Sequence, residues 1–231
     1  MSAAAPVRLV EVATPRGPGR FHVSEADEPV ALLALGHGAG GGVDAPDLVA
    51  LARHLPTEGV TVLRYEQPWR VAGRRVAVRP PLLDEAWLAG LSAVAAAVGD
   101  GLPLVTGGRS AGARVACRTA DALHAAGVVC LGFPLHLPGR PERSRLPELL
   151  APQVPRLVLQ GTRDTFGTAA ELADQVPAGA SGAAGVRVVP LPGADHGGRV
   201  LKGGSPTAAE LREEVVRVAG AFVRELLGGA E

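Results

Sequence analysis

Apolar runs of strand length alternate with helix-like segments along almost the whole chain of 231 residues. Residues 29–35 form one continuous apolar run, as expected for a strand buried on both faces of a parallel sheet. Strands that alternate with helices predict the α/β class, with a mostly parallel central sheet and helices on both faces. The length favours a single domain over residues 1–231, and the short connections predict no large lid domain.

The individual elements follow from periodicity and from the positions of turn residues. The pattern predicts an opening hairpin over residues 7–14 and 20–24. Further strands are predicted at 29–35, 60–65, 102–106, 127–133, 156–160 and 186–191. Helices are predicted at 47–55, 84–98, 111–126, 168–176 and 207–227, and loops at 70–81, 134–147 and 178–185.

One serine lies in a turn of the form G-x-S-x-G, the segment Gly108-Arg109-Ser110-Ala111-Gly112. The strand predicted before it and the helix predicted after it are the setting in which such a turn presents a nucleophilic hydroxyl. The glycines are required there because a side chain at Gly108 or Gly112 would crowd the neighbouring strand and helix. The structural alternative is an ordinary strand-to-helix turn with a capping serine.

Two later segments supply the partners that a serine nucleophile needs. Asp164 and His196 each follow a predicted strand, so both are expected at the sheet edge where Ser110 lies. His196 is the predicted base and Asp164 the acid that orients it, in the order Ser, acid, His. Asp195 is a rival acid, although adjacent residues seldom point at one another in the required geometry. The rival bases are His37, His54, His124 and His136.

The segment GHGAGG at 36–41 has two interpretations. In the first, the backbone N–H groups of Ala111 and of Ala39 or Gly38 stabilise a tetrahedral oxyanion. In the second, the same G-x-G-x-x-G pattern, with Glu66 ending the next strand, binds a dinucleotide. The late start of the following helix, near Pro46, and the hairpin before this strand argue against the second interpretation.

Charge and composition exclude several classes of partner. Lys and Arg together number 23, as do Asp and Glu, so no overall basic character favours nucleic acid. No stretch approaches the roughly 18 apolar residues of a membrane span, and residues 1–6 do not resemble a secretory signal, so a cytoplasmic location without membrane attachment is expected. Cys117 and Cys130 are predicted to be small core residues, and no metal or cofactor is predicted.

Five segments resemble one known group of proteins. They are GHGAGG at 36–41, RYEQPW at 64–69, GGRSAGAR at 107–114, FPLHLPGR at 133–140 and QGTRD at 160–164. Together they resemble the small α/β-hydrolases that share a domain with the third regulatory subunit of the NSL histone-acetyltransferase complex. Dienelactone hydrolases are more distant relatives of that group. The resemblance extends over residues 30–227 and implies an α/β-hydrolase fold with Ser110, Asp164 and His196 as a triad.

The expected function is that of a serine hydrolase, which cleaves a small-molecule carboxylic ester or thioester through an acyl-enzyme. The resemblance also leaves a second hypothesis open, since it includes eukaryotic relatives that are scaffold parts. In that case the chain would be a binding or scaffold protein with an idle triad.

The substrate pocket is predicted to include Trp69 and Phe133 as an apolar wall. Its other predicted members are His37, Arg109, His136 and Arg140. Arginines are frequent near the site, and they predict a substrate with an anionic or strongly polar group. They are Arg109, Arg140, Arg143, Arg145 and Arg163. The alternative is that Arg109 and Arg114 brace the turn through pairs with acids such as Glu66, while the loop arginines are solvated.

Overall fold

The computed structural model describes residues 7–99, 101–176 and 185–228. Eight strands form one sheet in the order β1-β2-β4-β3-β5-β6-β7-β8. The strands are β1 (Arg8–Thr14), β2 (Gly17–Ser24), β3 (Ala31–Gly36), β4 (Val60–Glu66), β5 (Leu104–Arg109), β6 (Gly127–Leu131), β7 (Arg156–Gly161) and β8 (Val186–Leu191). The helices are α1 (Pro46–His54), α2 (Pro68–Val71), α3 (Pro80–Val98), α4 (Ala111–Thr119), α5 (Leu146–Leu150), α6 (Ala169–Gln175) and α7 (Ala208–Gly228), and a 3-10 turn spans Leu55–Glu58.

The predicted α/β class with a mostly parallel sheet is confirmed. β1 pairs with β2 and β2 with β4 in antiparallel fashion, and every other pairing is parallel. The parallel strands β3, β5, β6, β7 and β8 therefore end at one edge, where open α/β sheets build their ligand sites. α2 and α5 are short turns of helix, so no lid domain covers this edge in the described part of the chain.

Helices cover both faces of the sheet because the central strands are apolar on both sides. Every residue of β3, β6 and β7 is buried. α1 and α7 pack with the strands in one apolar cluster, while α4, α5 and α6 contribute to another. Trp87 of α3 lies against Tyr65 of β4 under the opening hairpin. No described helix has the length and apolar character needed to cross a membrane.

Several element boundaries differ from the sequence predictions. α4 ends at Thr119 rather than 126, because His124 adopts a left-handed conformation (φ 49°) and the Ala126 N–H donates to the Leu104 carbonyl. α3 begins at Pro80 rather than 84, since proline is tolerated in the first helical turn. The loops predicted at 70–81 and 134–147 overlap the ends of α2, α3 and α5. The loop predicted at 178–185 lies outside the described residues except for Gly185.

The turn between β5 and α4 is pressed against the neighbouring strand β3. A Cβ atom placed on Gly112 would lie 2.2 Å from the Gly36 carbonyl oxygen, and one on Gly108 would lie 2.4 Å from it. Both contacts involve backbone, which has no room to move inside a sheet. The predicted need for glycine at both positions is confirmed.

The Gly112→Ala variant should therefore be strongly destabilised. We expect its free energy of unfolding to fall by about 3 kcal/mol, near the upper end of overpacking effects. Gly41→Ala is the matched control, since a Cβ there has nothing within 4 Å. Urea unfolding of both variants measures the difference, and equal stabilities would contradict this account of the turn.

Candidate active site

Ser110 lies at the junction of β5 and α4, in a conformation that side-chain-bearing residues seldom adopt. Its φ is 52° and its ψ is −108°. The Ser110 N–H donates to the Leu131 carbonyl oxygen of β6 at 3.1 Å, and the Ser110 carbonyl accepts from the Arg114 N–H. Backbone strain of this kind persists only where the surroundings fix it, and it is concentrated at functional sites.

The three side chains predicted from the sequence come together in one hydrogen-bonded row. His196 Nε2 lies 2.9 Å from Ser110 Oγ, and His196 Nδ1 lies 2.8 Å from Asp164 Oδ2. A carboxylate can only accept, so Nδ1 carries the proton and Nε2 is free to accept from the serine hydroxyl. The Asp164 side chain is fully buried, whereas that of His196 is 21 % exposed.

The carboxylate of Asp164 is held by neighbours on both oxygens. Oδ1 accepts from the Phe166 N–H at 2.8 Å, and Oδ2 accepts from Gln160 Nε2 at 3.1 Å in addition to the imidazole. Gln160 also donates to the carbonyl oxygens of Phe133 and Gly167. Because carbonyl oxygens only accept, the NH₂ end of the Gln160 amide must face them and Asp164. The resulting hydrogen bond holds the Asp164 carboxylate in place.

Asp195, the rival acid, has a different task. Its Oδ1 accepts from the N–H groups of Gly197 and Arg199, at 2.8 and 2.9 Å. Its own N–H donates to the Arg199 carbonyl oxygen. Asp195 therefore closes the turn that follows His196, and the structure places Asp164 against the imidazole instead.

The backbone groups predicted to bind an oxyanion border the cleft beside Ser110. Gly38, Ala39 and Ala111 all line this cleft. In the described part of the chain their N–H groups donate to no protein acceptor. Ala111 is the first residue of α4, where N–H groups have no helical partner and the helix dipole favours negative charge.

His37 supports this backbone loop from behind. Its Nδ1 donates to the Gly38 carbonyl oxygen at 2.8 Å, and its Nε2 accepts from the Gln67 N–H at 3.3 Å. Burial lowers the pKa of His37, which favours the neutral ring that this pattern requires. Trp69 packs edge-on against the imidazole, with ring centroids 5.5 Å apart.

Arg109, the variable residue of the G-x-S-x-G turn, connects three parts of the site. Its Nε donates to Asp47 Oδ2 at 2.8 Å, and its Nη2 makes a second bond to the same carboxylate. Its Nη1 donates to the His196 carbonyl oxygen at 2.7 Å. The side chains of Arg109 and Asp47 are 13 % and 8 % exposed, so solvent screens the pair little.

A cleft of about 910 Å³ extends along the sheet edge from Ser110. Its walls come from the loop after β3, from the turn at Ser110, from the loops after β6, β7 and β8, and from α7. The apolar side chains among its described lining residues are Pro46, Pro134, Leu137, Phe166, Leu191, Val200, Leu211 and Val215. Phe166 also stacks on the His196 ring, with centroids 4.1 Å apart.

Of the six predicted pocket residues, Arg109 lines the cleft and the other five do not. The predicted apolar wall is wrong, because Trp69 and Phe133 are 4 % and 0 % exposed and pack into the core. His37 and Trp69 border a separate space of about 10 Å³ behind the turn. His136 is also buried, with Nδ1 near the Leu137 carbonyl oxygen and Nε2 2.9 Å from Glu171.

The arginines near the site fit neither of the two hypotheses drawn from the sequence in full. Arg140, the fifth predicted pocket residue outside the cleft, is exposed, as are Arg143 and Arg163. Arg109 and Arg114 brace the turn, but their acids are Asp47 and Glu148. Glu66, the acid named for this task, lies near Arg20 and His22 instead. The arginines among the described lining residues are Arg109, Arg114, Arg145, Arg199 and Arg212.

Sequence reasoning missed several residues of the site. For Asp47 the sequence contained one indication, because it is an acid in the first turn of a helix that follows the glycine-rich loop. Phe166, Gln160, Arg199 and Arg212 gave none, because their contacts depend on how distant segments pack.

The comparisons with known proteins agree with this architecture. A family described as an alpha/beta hydrolase domain matches residues 29–224. A lidless serine hydrolase from Xanthomonas campestris is 19 % identical, with a TM-score of 0.70 over 96 % of this chain and 98 % of that one. A serine hydrolase homologue from Coxiella burnetii is 18 % identical, with a TM-score of 0.71 over 94 % and 99 %. An esterase from Pyrobaculum calidifontis is 18 % identical, with a TM-score of 0.67 over 97 % and 86 %.

Proposed function

This chain belongs to the alpha/beta hydrolase domain family, and we propose that it is a serine hydrolase that cleaves a carboxylic ester or thioester. The observation that carries the proposal is the continuous row from Ser110 through His196 to Asp164, with both hydrogen bonds between 2.8 and 2.9 Å. The strained backbone at Ser110 and the adjoining cleft support it.

The first step makes an acyl-enzyme. Ser110 Oγ attacks the carbonyl carbon of the substrate while His196 Nε2 takes the hydroxyl proton. The imidazolium returns that proton to the leaving alcohol or thiol, and water then repeats the sequence to release the acid. Asp164 accepts from Nδ1–H throughout, which holds the ring in the productive tautomer and stabilises its positive charge.

The tetrahedral intermediate places a negative charge on the former carbonyl oxygen. The N–H of Ala111 and that of Ala39 or Gly38 are the proposed donors to this oxygen. Within residues 7–99, 101–176 and 185–228 these N–H groups have no protein acceptor, so no hydrogen bond to that part of the chain has to break before they act. One such donor lowers the barrier by about 3–4 kcal/mol.

Arg109 is proposed to position His196 through its backbone. The guanidinium spans the Asp47 carboxylate and the His196 carbonyl oxygen, a pair of contacts that the single ammonium of lysine cannot reproduce. The bond to the carbonyl fixes the loop on which the imidazole is mounted, and a small displacement of a reacting group is costly.

The Arg109→Lys variant should therefore lose kcat with little change in KM. We expect a decrease of about 10- to 100-fold, the effect of misplacing a catalytic group by roughly 1 Å. Arg118→Lys is the matched control, because Arg118 lies on α4, is absent from the cleft wall and pairs with two acids, Asp84 and Glu148. Steady-state kinetics on one ester measures both, and an unaltered kcat in Arg109→Lys would exclude the positioning task.

A pre-steady-state experiment tests the proposed activity itself. 4-Nitrophenyl esters and acyl thioesters of graded chain length are mixed with the protein, and the leaving group is followed over the first turnover. We expect a burst close to one equivalent where deacylation limits the rate, followed by steady turnover. If no ester or thioester in the series is cleaved, the protein is a binding or scaffold protein with an idle triad.

Other expectations stay predictions. Within the family, the shared segments support a place among the small hydrolases related to the NSL subunit. A single domain over residues 1–231, a cytoplasmic location, and the absence of nucleic-acid partners and cofactors rest on the sequence alone.

A further inference from the structure

We propose that the cleft selects substrates that carry an anionic group, a carboxylate or a phosphate, and that Arg145 binds this group. This inference rests on the proposed hydrolase function and adds a substrate class to the same site. The group would be joined to the scissile carbonyl by a largely apolar linker.

The first observation is an imbalance of charge in the cleft wall. Five arginines line it, against two aspartates, Asp44 and Asp47, among the described lining residues. Asp47 is already bound by Arg109. The chain as a whole has equal numbers of cationic and acidic residues, so the excess of positive charge in the cleft is local.

The second observation is that the nearest acid to Arg145 is already occupied. Glu148, three residues further along α5, binds Arg114 with both of its oxygens and also accepts from Arg118. Among the described residues, no carboxylate oxygen lies within 4.0 Å of the Arg145 guanidinium. A cation in a protein wall without an acid is an unusual arrangement, since burial of an unpaired charge is costly.

The third observation is that Arg145 is half-buried and partly anchored. Its Nη1 donates to the Pro134 carbonyl oxygen at 3.3 Å, and its N–H donates to the Leu135 carbonyl oxygen. Burial lowers the pKa of Arg145 and the neighbouring Arg114 lowers it further, while the charge of Glu148 opposes the shift without contacting the guanidinium. The remaining donors can face an anion, and an anchored side chain loses less entropy when it binds one.

Apolar side chains line the cleft together with the triad and this arginine. Phe166 stacks on His196, and its carbonyl oxygen accepts from the His136 N–H in the loop after β6. That loop supplies Pro134 and Leu137 to the cleft wall, and Pro134 is the residue to which Arg145 is anchored. A linker of a few methylene groups or one ring fits such a wall better than a polar one.

Arg199 and Arg212 are the other lining arginines without an acid within 4.0 Å in the described part of the chain. They come from the loop after β8 and from α7, on the wall formed with Leu211 and Val215. Arg212 is half-buried, but among the described residues no protein hydrogen bond holds its guanidinium, unlike that of Arg145. Arg199 is exposed, so water already satisfies its charge. An exposed cation discriminates weakly between neutral and anionic ligands because solvent screens it.

The test compares matched ester pairs on the full chain. On the acyl side, 4-nitrophenyl hemiesters of dicarboxylic acids are compared with 4-nitrophenyl alkanoates of equal length. On the alcohol side, the butyrate ester of 4-hydroxybenzoate is compared with that of 4-hydroxybenzamide. A phosphonate analogue of the better pair distinguishes phosphate from carboxylate recognition.

We expect the anionic member of at least one pair to have the higher kcat/KM, by about 10- to 100-fold, the effect of a hydrogen-bonded charge pair. Arg145→Gln should remove that preference, so that the ratio of kcat/KM for the anionic ester to kcat/KM for the neutral ester falls to about one. Arg145→Lys should retain part of the anionic preference, because lysine keeps the positive charge but lacks the paired N–H donors of a guanidinium. Arg140→Gln, an exposed position in the same loop, is the matched control and should change neither value.

Two results would overturn the inference. One is a wild-type protein that cleaves neutral esters as well as, or better than, every anionic partner. The other is an anionic preference that survives in Arg145→Gln or depends instead on Arg199 or Arg212. Both leave the proposed hydrolase intact, because the neutral esters report on it separately. A protein that cleaves no ester fails the proposed function first.

Discussion

The Ser110→Ala variant should lose kcat by about 10⁶-fold, the effect of removing the nucleophile from a serine hydrolase. The loss follows from chemistry rather than from unfolding. Alanine fits the space of serine, and Ser110 contributes only backbone groups to the surrounding structure apart from its bond to His196. Steady-state hydrolysis of a 4-nitrophenyl ester measures the loss, and thermal unfolding checks that the variant is folded.

Activity within tenfold of the wild type in Ser110→Ala would mean that another residue performs the attack. The variant should also bind substrates without cleaving them, so a substrate that protects it from thermal unfolding would separate binding from chemistry.

The Asp164→Asn variant should lose kcat by about 10⁴-fold, since an amide can turn its NH₂ group toward Nδ1 and stabilise the wrong tautomer of the base. Asp164 is fully buried and its carboxylate accepts three hydrogen bonds, from His196, Gln160 and the Phe166 N–H. The same kinetic assay measures this loss.

Asp195→Asn is the matched control for that variant, because it makes the same change one residue before the base. Its Oδ1 accepts only from backbone N–H groups, an interaction that an asparagine oxygen can keep. We expect kcat within about threefold of the wild type, as for a change that preserves local hydrogen bonds. A larger loss in Asp195→Asn than in Asp164→Asn would assign the acid to Asp195.

The sequence predicted the fold and the central row of side chains because both depend on local pattern. Buried strands are recognisable as apolar runs, and residues that follow parallel strands must meet at one edge of a sheet. Ser110 follows β5 directly, and Asp164 and His196 lie in the loops just after β7 and β8. The sheet topology therefore brings the three side chains together, which is why the sequence alone was enough to combine three distant segments.

The walls of the cleft were harder to predict because exposure is decided by packing between distant segments. Trp69 and Phe133 are large apolar side chains near strand ends, and nothing local distinguishes a pocket wall from a core position. Both side chains are core residues, since Trp69 packs with α3 and the opening hairpin, and Phe133 packs with α4 and α6. Burial of such side chains is worth about 1.5–3 kcal/mol each.

Charge pairing was only partly predictable for the same reason. The idea that Arg109 and Arg114 brace the turn was correct in kind, yet the acids that bind them are Asp47 and Glu148. Arg145 was one of several loop arginines in the sequence. The structure distinguishes it from the others, because Glu148 binds Arg114 and Arg118 instead and Arg145 lies in the cleft wall.

Covalent labelling identifies the nucleophilic residue directly. The full-length protein is treated with a fluorophosphonate at neutral pH, and the adduct is located by peptide mass mapping. We expect rapid formation of a single adduct on Ser110, abolished in Ser110→Ala and slowed strongly in Asp164→Asn. An unlabelled native protein, or an adduct on any residue other than Ser110, would contradict it.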